Sequence, residues 1–223
     1  MRTFPEAKLA GSIIFVREGE NGWEVLMGLR SEHSEFVPGA YVFTGGALDV
    51  EDNDIAHALF PLAKGRNKKA LALKIAAIRE AFEEMGILMA HREISPSATT
   101  IPERFGTYRQ RLLQGERNAF SEMLSEQQLT PSISGLFSFA RWVTPPFFPI
   151  RYDAQFFVAR MPDQQLAIHD GRELVAHIWL PPREMLLRHS RNEFPLVYPT
   201  LMTLKALAQF PRIEDLLEKT AKD

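Results

Sequence analysis

Three glutamates crowd the segment Arg79-Glu80-Ala81-Phe82-Glu83-Glu84-Met85-Gly86-Ile87. On a helix at about 100° per residue, Glu80, Glu83 and Glu84 are related by i,i+3 and i,i+4 and share one side, while Ile78 and Phe82 fall on the other. Carboxylates so placed repel each other by roughly 0.2–0.5 kcal/mol per pair. They also stand near the helix C-terminus, where the macrodipole disfavours negative charge. A divalent cation reverses the sign of that cost. Mg²⁺ takes oxygen ligands, uses few carboxylates, and binds well when substrate phosphates complete its shell. The plain alternative is a solvated acidic face at the end of an amphipathic helix, and the three glutamates alone do not decide between the two.

The helix that must carry them is read from Leu71, Ile75, Ile78, Phe82 and Met85, whose spacing gives one apolar stripe from about Lys68 onward. Gly86 is the expected stop. Upstream, residues 8–16 and 23–30 read as strands joined by the polar turn Gly19-Glu20-Asn21-Gly22. Residues 31–40 read as loop, and Tyr41 to Phe43 as a short strand ending at Gly45-Gly46. Residues 47–67 look polar and irregular. Downstream, 102–128 reads as one or two amphipathic helices and 129–137 as a linker. Strands follow at 137–143, 154–160 and about 174–180, then helices near 182–189 and 197–209. The run Pro145-Pro146-Phe147-Phe148-Pro149 cannot be central strand, because proline lacks the ladder donor. This order predicts an α+β chain forming one domain over 1–223, a mixed sheet sandwiched between helices (α/β/α) with helical insertions.

Composition narrows the function. The 223 residues are 45% hydrophobic and 24% charged, an ordinary globular balance, with a formal net charge of −2. No basic excess or stripe points to nucleic acid. The absence of cysteine excludes disulfides and thiolate metal sites. The longest apolar runs fall short of a membrane span, and the first of them, Ile13 to Val16, is too short for a signal-peptide core. The chain ends Ala221-Lys222-Asp223, which is not a peroxisomal tripeptide. The expectation is a soluble, cytoplasmic protein without a membrane partner and compatible with a homodimer, whose charge balance does not exclude small anionic substrates.

From Arg79 to Ile87 the sequence resembles the second half of the Nudix box, G-x5-E-x7-R-E-U-x-E-E-x-G-U with U aliphatic, at every specified position. Gly45-Gly46-Ala47-Leu48-Asp49 resembles its first half. Thr44 stands where proline is usual, and the box is interrupted. With Gly46 as the box glycine, Asp52 takes the place of the first glutamate; with Gly45, Glu51 does. Either way about 19–20 extra residues precede Arg79. Such an interruption is similar to the branch of the family that includes peroxisomal coenzyme A diphosphatases. Arg141-Trp142-Val143-Thr144-Pro145, Arg151-Tyr152-Asp153-Ala154-Gln155-Phe156-Phe157 and Trp179-Leu180 resemble that branch too. The resemblance implies the Nudix fold and diphosphate hydrolysis with Mg²⁺ or Mn²⁺. It makes Glu83 and Glu84 the main metal ligands, and Glu80 a ligand or the base for the attacking water. The Gly46 carbonyl would face the metal. Arg79 would hold the glutamates by an ion pair, with Glu83 one turn away to receive it. The insertion 53–67 is expected to leave the helix in place and to form part of the pocket wall.

The favoured substrate is coenzyme A or an acyl-coenzyme A. Arg30, Ser31, Gly39, Phe43 and Gly45-Gly46 match the spacing of a signature found in family members that act on coenzyme A, but Glu35 occupies its second arginine position. An arginine there would pair with a phosphate, which Glu35 would repel. Among Phe147, Phe148, Tyr152, Phe156 and Phe157, the first two lie in a proline-forced loop and are candidates to stack an adenine. Asp153, Asp170 and Glu173 are candidates for a base from outside the box. The six histidines (His33, His57, His91, His169, His177 and His189) show no metal spacing. The alternative substrates are ADP-ribose or NADH. A fold that has lost catalysis and only senses a nucleotide is the third reading, opposed by a complete second half-box.

Overall fold

A computed structural model of the chain describes residues 5–62, 65–92 and 104–222. In chain order the elements are β1 (Lys8–Arg17), β2 (Glu24–Arg30), β3 (Tyr41–Val42), β4 (Thr44–Ala47), α1 (Val50–Leu59), α2 (Arg66–Met85) and β5 (Ala90–His91). They continue as α3 (Arg104–Leu113), α4 (Ala119–Glu126), β6 (Thr130–Pro131), β7 (Phe137–Val143), β8 (Tyr152–Arg160) and β9 (Leu174–Leu180). The helices α5 (Pro182–Ser190), α6 (Tyr198–Leu207) and α7 (Ile213–Lys222) complete the chain. The large sheet runs β3-β2-β1-β8-β7, with β4 also on β1 and β9 also on β2. β1 and β8 are parallel; the other pairs are antiparallel. β5 and β6 form a separate two-stranded sheet.

Side chains alternate across a strand, so β1 feeds two cores. Ile13 and Phe15 pack with Phe157 of β8 against α2 (Ile75, Ile78, Phe82) and against Phe120 of α4. Ile14 and Val16 pack with Val25 and Phe156 against Met185 of α5, Leu204 of α6 and Ile213 of α7. The expected α/β/α layering of a mixed sheet is therefore present. Among the described residues, no helix is long and apolar enough to cross a membrane.

Several segments differ from expectation. The expected linker 129–137 contains β6, which pairs with an unexpected β5. Within 47–67, residues 50–59 are helical: Asp49 caps α1, its side chain accepting from the Glu51 N–H while Asp52 accepts from the Asp49 N–H. That reciprocal capping box starts a helix whose only buried residues are Asp52, Ile55 and Ala56, too few to write an apolar stripe into the sequence. α7 was also unforeseen, and its Ile213 and Leu216 close the second core. The helical insertion 102–128 resolves into α3 and α4, with 102 and 103 outside the described residues, as are 63 and 64 of the insertion 53–67.

Candidate active site

α2 is buried on most of its circumference rather than along a stripe, and its C-terminal end lies beside β4. Gly86 adopts a left-handed φ of 65°, and the N–H of Ile87 turns back to the Ala81 carbonyl at 3.1 Å. This glycine-dependent cap ends the helix directly after the acids.

β4 delivers the glycines to the same place. In register, Gly46 faces Gly11 of β1 and Gly45 faces Ser12. A side chain at Gly46 would put its Cβ 2.5 Å from the Glu80 carboxyl carbon. The Gly45 N–H donates to Glu84 Oε2 at 3.0 Å, and the Thr44 hydroxyl donates to the same oxygen at 2.5 Å. Thr44, the departure from the usual proline, thus supplies a donor that proline could not. Glu80 and Glu84 are brought to Gly46 and Gly45 respectively, whereas the Glu83 carboxylate approaches Arg79.

Arg79 is 8% exposed and sits at the centre of the acids. Its Nε and Nη2 donate to the two oxygens of Asp52, each at 2.9 Å, and its Nη1 donates to Glu80 Oε1 at 2.7 Å. Nη2 also reaches the Ala47 carbonyl at 3.1 Å, while Glu83 stands off at 3.6 Å. The main partner is therefore Asp52 rather than Glu83, because a planar fork matches both oxygens of one carboxylate. Asp52 is fully buried. Of the two acids, Asp52 and not Glu51 engages Arg79: Glu51 accepts from the Ser121 hydroxyl of α4. The interrupting segment thus returns Asp52 to Arg79.

The electrostatics follow from burial. Desolvation raises the Glu80 carboxyl to about 7; Arg79 opposes this, and Glu83 and Glu173 add to it. Desolvation pushes Glu84 well above its ordinary value, helped by Glu80 and Glu173 and opposed by the Thr44 and Gly45 hydrogen bonds. Glu83 is raised by burial, with Arg79 opposing and Glu173 and Asp170 adding. Burial works against the Arg79 charge, but Asp52 and Glu80 outweigh it and hold the guanidinium above its usual range. Among the described residues, no three acidic or histidine groups already stand as a metal cage. Glu80 accepts from Arg79, and Glu84 from Thr44 and Gly45. The donor set is still all oxygen, buried and short of positive charge, which fits a hard divalent cation.

The remaining candidates separate. Glu173 faces the cluster, raising the proton affinity of Glu80, Glu83 and Glu84 alike, and pairs with Arg30 Nη2 at 2.8 Å. The Arg30 Nε is buried without a partner. Asp170 is occupied by the backbone N–H groups of Arg172, Glu173 and Leu174, and Asp153 by Arg141. The Ser31 hydroxyl accepts from the His33 N–H and shapes a turn. Phe43 lies in the second core, 5% exposed and edge-on to Phe156 at 5.6 Å, so it is not part of a substrate surface. Strand alternation explains the correction: with Thr44 turned to Glu84, its neighbour must face the other side. Phe147 is exposed and packs on Phe148, 5.0 Å between ring centres. Its loop precedes Tyr152, which pairs with Lys8, only three positions (about 10 Å of strand) from Gly11 and its partner Gly46. Phe36 meets Tyr152 edge-on at 5.1 Å, so loops 31–40 and 144–151 converge at that end.

Among the described residues of the insertion, those at 59–62 lie away from the acids. Leu59 to Leu62 form a groove with Ala70, Leu71 and Lys74. Leu71 precedes Glu80 by nine residues, about 13 Å along the helix axis, so the groove sits toward the other end of α2. One contributor was absent from the sequence reading. Arg109 of α3 donates to the carbonyls of Glu83 and Glu84. Backbone acceptors leave no side-chain pattern by which to find it.

Comparison with known proteins agrees with this geometry. Residues 59–207 match the family described as the NUDT19 Nudix domain. The chain is 27% identical over 237 residues to the acyl-coenzyme A diphosphatase NUDT19 of Homo sapiens, covering 87% of this chain and 63% of that protein. It is 27% identical over 244 residues to the Gallus gallus protein of the same name, covering 89% and 64%. The chain thus spans less than two thirds of these relatives' length. A crystal structure of a NUDIX hydrolase from Alicyclobacillus acidocaldarius superposes with a TM-score of 0.82 at 31% identity, covering 96% of both chains. By these matches, the chain belongs to the Nudix hydrolases, in the NUDT19 Nudix domain family.

Proposed function

We propose that this chain hydrolyses the diphosphate link of coenzyme A or an acyl-coenzyme A, with Mg²⁺ or Mn²⁺ held by Glu80, Glu83, Glu84 and the Gly46 carbonyl. The observation that carries the reading is the buried acid cluster at the end of α2, whose three carboxyls all bind protons more tightly than usual. A bound cation supplies Lewis-acid polarisation of the phosphoryl oxygens and makes the attacking water more acidic. Glu80, held at the end of α2 by Arg79 and beside Gly46, would take the proton from that water as a general base. Arg79 keeps the Glu80 carboxyl oriented through Nη1. Arg30 receives a substrate phosphate once Glu173 releases it, and Phe147 with Phe148 stacks the adenine at the mouth. The substrate class is supported by the names of the curated relatives and by the spacing of Arg30, Ser31 and Gly39 before Gly45-Gly46.

One observation favours a second reading. Glu35 is exposed on loop 31–40, where an arginine would serve the extra phosphate of coenzyme A. ADP-ribose and NADH lack that phosphate and would not be repelled. Incubation with Mg²⁺ or Mn²⁺ and each of coenzyme A, acyl-coenzyme A, ADP-ribose and NADH, with products weighed by mass spectrometry, separates the two. Release of 3′,5′-ADP and a 4′-phosphopantetheine product is expected. Much faster turnover of ADP-ribose or NADH would overturn the substrate assignment and leave the diphosphatase reading standing.

A further inference from the structure

We propose that Arg109, on the helical insertion, is a positioning residue that locks the acidic end of α2 against the loop bearing Glu173. The last carbonyls of a helix have no partner within it and carry the negative end of its dipole. Here those carbonyls belong to Glu83 and Glu84, already part of an acidic cluster. Arg109 Nε donates to the Glu83 carbonyl at 3.0 Å and Nη2 to that of Glu84 at 3.1 Å. The same Nη2 donates to the Ile168 carbonyl at 2.6 Å, and the Ile168 N–H donates to the Met85 carbonyl at 2.8 Å. From there Asp170 gathers the N–H groups of Arg172, Glu173 and Leu174. The loop is thus pinned at Ile168 and again before β9, which fixes the backbone of Glu173, whose carboxylate pairs with Arg30. By gripping main-chain oxygens, Arg109 brings positive charge to the cluster without occupying any carboxylate oxygen that a cation would need. A Cβ at Gly86 would stand 3.2 Å from its Nη1, so the helix stop also makes room for the guanidinium.

This inference rests on the metal reading above, and its test is the binding of Mn²⁺ alone, followed by loss of the free-ion paramagnetic resonance signal. Groups that orient metal ligands typically change affinity by about 10–100-fold when lost. Arg109→Met is therefore expected to weaken Mn²⁺ binding by about tenfold and to lower kcat while KM for coenzyme A stays nearly constant. Arg111→Met removes the same charge from the same helix, but Arg111 pairs with the side chains of Glu116 and Glu122. It should leave Mn²⁺ binding unchanged. Arg109→Lys keeps the charge and loses the fork, and should fall between. Unaltered Mn²⁺ binding in Arg109→Met, or an equal loss in Arg111→Met, overturns the proposal. If Arg109→Met does not fold, Arg109→Lys decides: weaker binding supports the proposal and unchanged binding overturns it. Failure of the unaltered protein to bind Mn²⁺ would overturn both the metal reading and this one.

Discussion

Arg79 and Asp52 lie 27 residues apart in sequence, yet the guanidinium grips both carboxylate oxygens at 2.9 Å in a site where Asp52 is fully buried. The contact ties the interrupting segment to the carboxylate helix. Asp52 is at once the third residue of the α1 capping box and the arginine's main partner, so the fold of the insertion and the order of the site depend on one side chain.

Breaking that pair leaves a buried charge without compensation, which costs about 3–5 kcal/mol. Arg79→Met should lose stability on that scale in urea unfolding. The double variant Asp52→Leu/Arg79→Met should recover part of it, since apolar replacement of a buried pair is often neutral while the α1 capping box and the Glu80 partner stay lost, and should not recover activity. Equal destabilisation of the single and double variants would show that the pair is not what matters.

The two glycines of β4 should respond differently to alanine. At Gly46 the atoms nearest the new methyl belong to the Glu80 carboxyl, the far end of a side chain rather than backbone. Gly46→Ala should fold with nearly unchanged melting temperature and lose activity because Glu80 is displaced. At Gly45 the methyl meets the Gly11 carbonyl at 2.4 Å, with φ at +152°. Gly45→Ala should be clearly destabilised. Calorimetry beside a rate assay checks both.

The metal-free protein should lose stability as pH rises across the neutral range. Glu80 binds its proton more tightly folded, at about 7, than unfolded, at its ordinary 4.5, and Glu83 and Glu84 are shifted in the same direction. Between those values the folded state holds more protons, so the slope of stability against pH is negative. His177, lowered by burial, opposes weakly, because a folded state that disfavours the charged imidazole gains as pH rises. Melting temperatures measured in chelator should fall from about pH 5 to pH 8. Mg²⁺ or Mn²⁺ should flatten the fall, and Glu80→Gln should reduce it. A metal-free melting temperature that rises over this range would contradict the assignment.

Glu35→Arg should lower KM for coenzyme A and leave that for ADP-ribose unchanged, because only coenzyme A carries the 3′-phosphate that the new charge would meet. A fall in KM for both would mean that the arginine acts on the shared diphosphate or on net charge alone.

Much of the site was legible because its chemistry is written in side chains at helical spacing. Leu71 to Met85 mark α2 and its stop, and helical spacing alone puts Glu80, Glu83 and Glu84 on one side. β1 and β2 were read within one residue, since each alternates faces beneath helices. What stayed hidden depends on the return of the chain in three dimensions. The partnership of Asp52 with Arg79 spans an insertion whose helix buries too few apolar residues to show a period. The Arg109 contacts end on carbonyls. Phe43 fits a substrate signature by spacing, yet its strand turns it into the core.

The most direct test of the central claim is the rate of Mg²⁺-dependent coenzyme A hydrolysis by Glu84→Gln at saturating substrate and metal. The amide keeps the shape of Glu84 and can still accept from Gly45, but removes the charge that a cation requires. The expected result is a fall of about 100-fold or more in kcat, the scale seen when preorganised transition-state electrostatics are removed, with the metal-free melting temperature unchanged or raised. Turnover within a few-fold of the unaltered protein would mean that the carboxylate helix does not hold the metal.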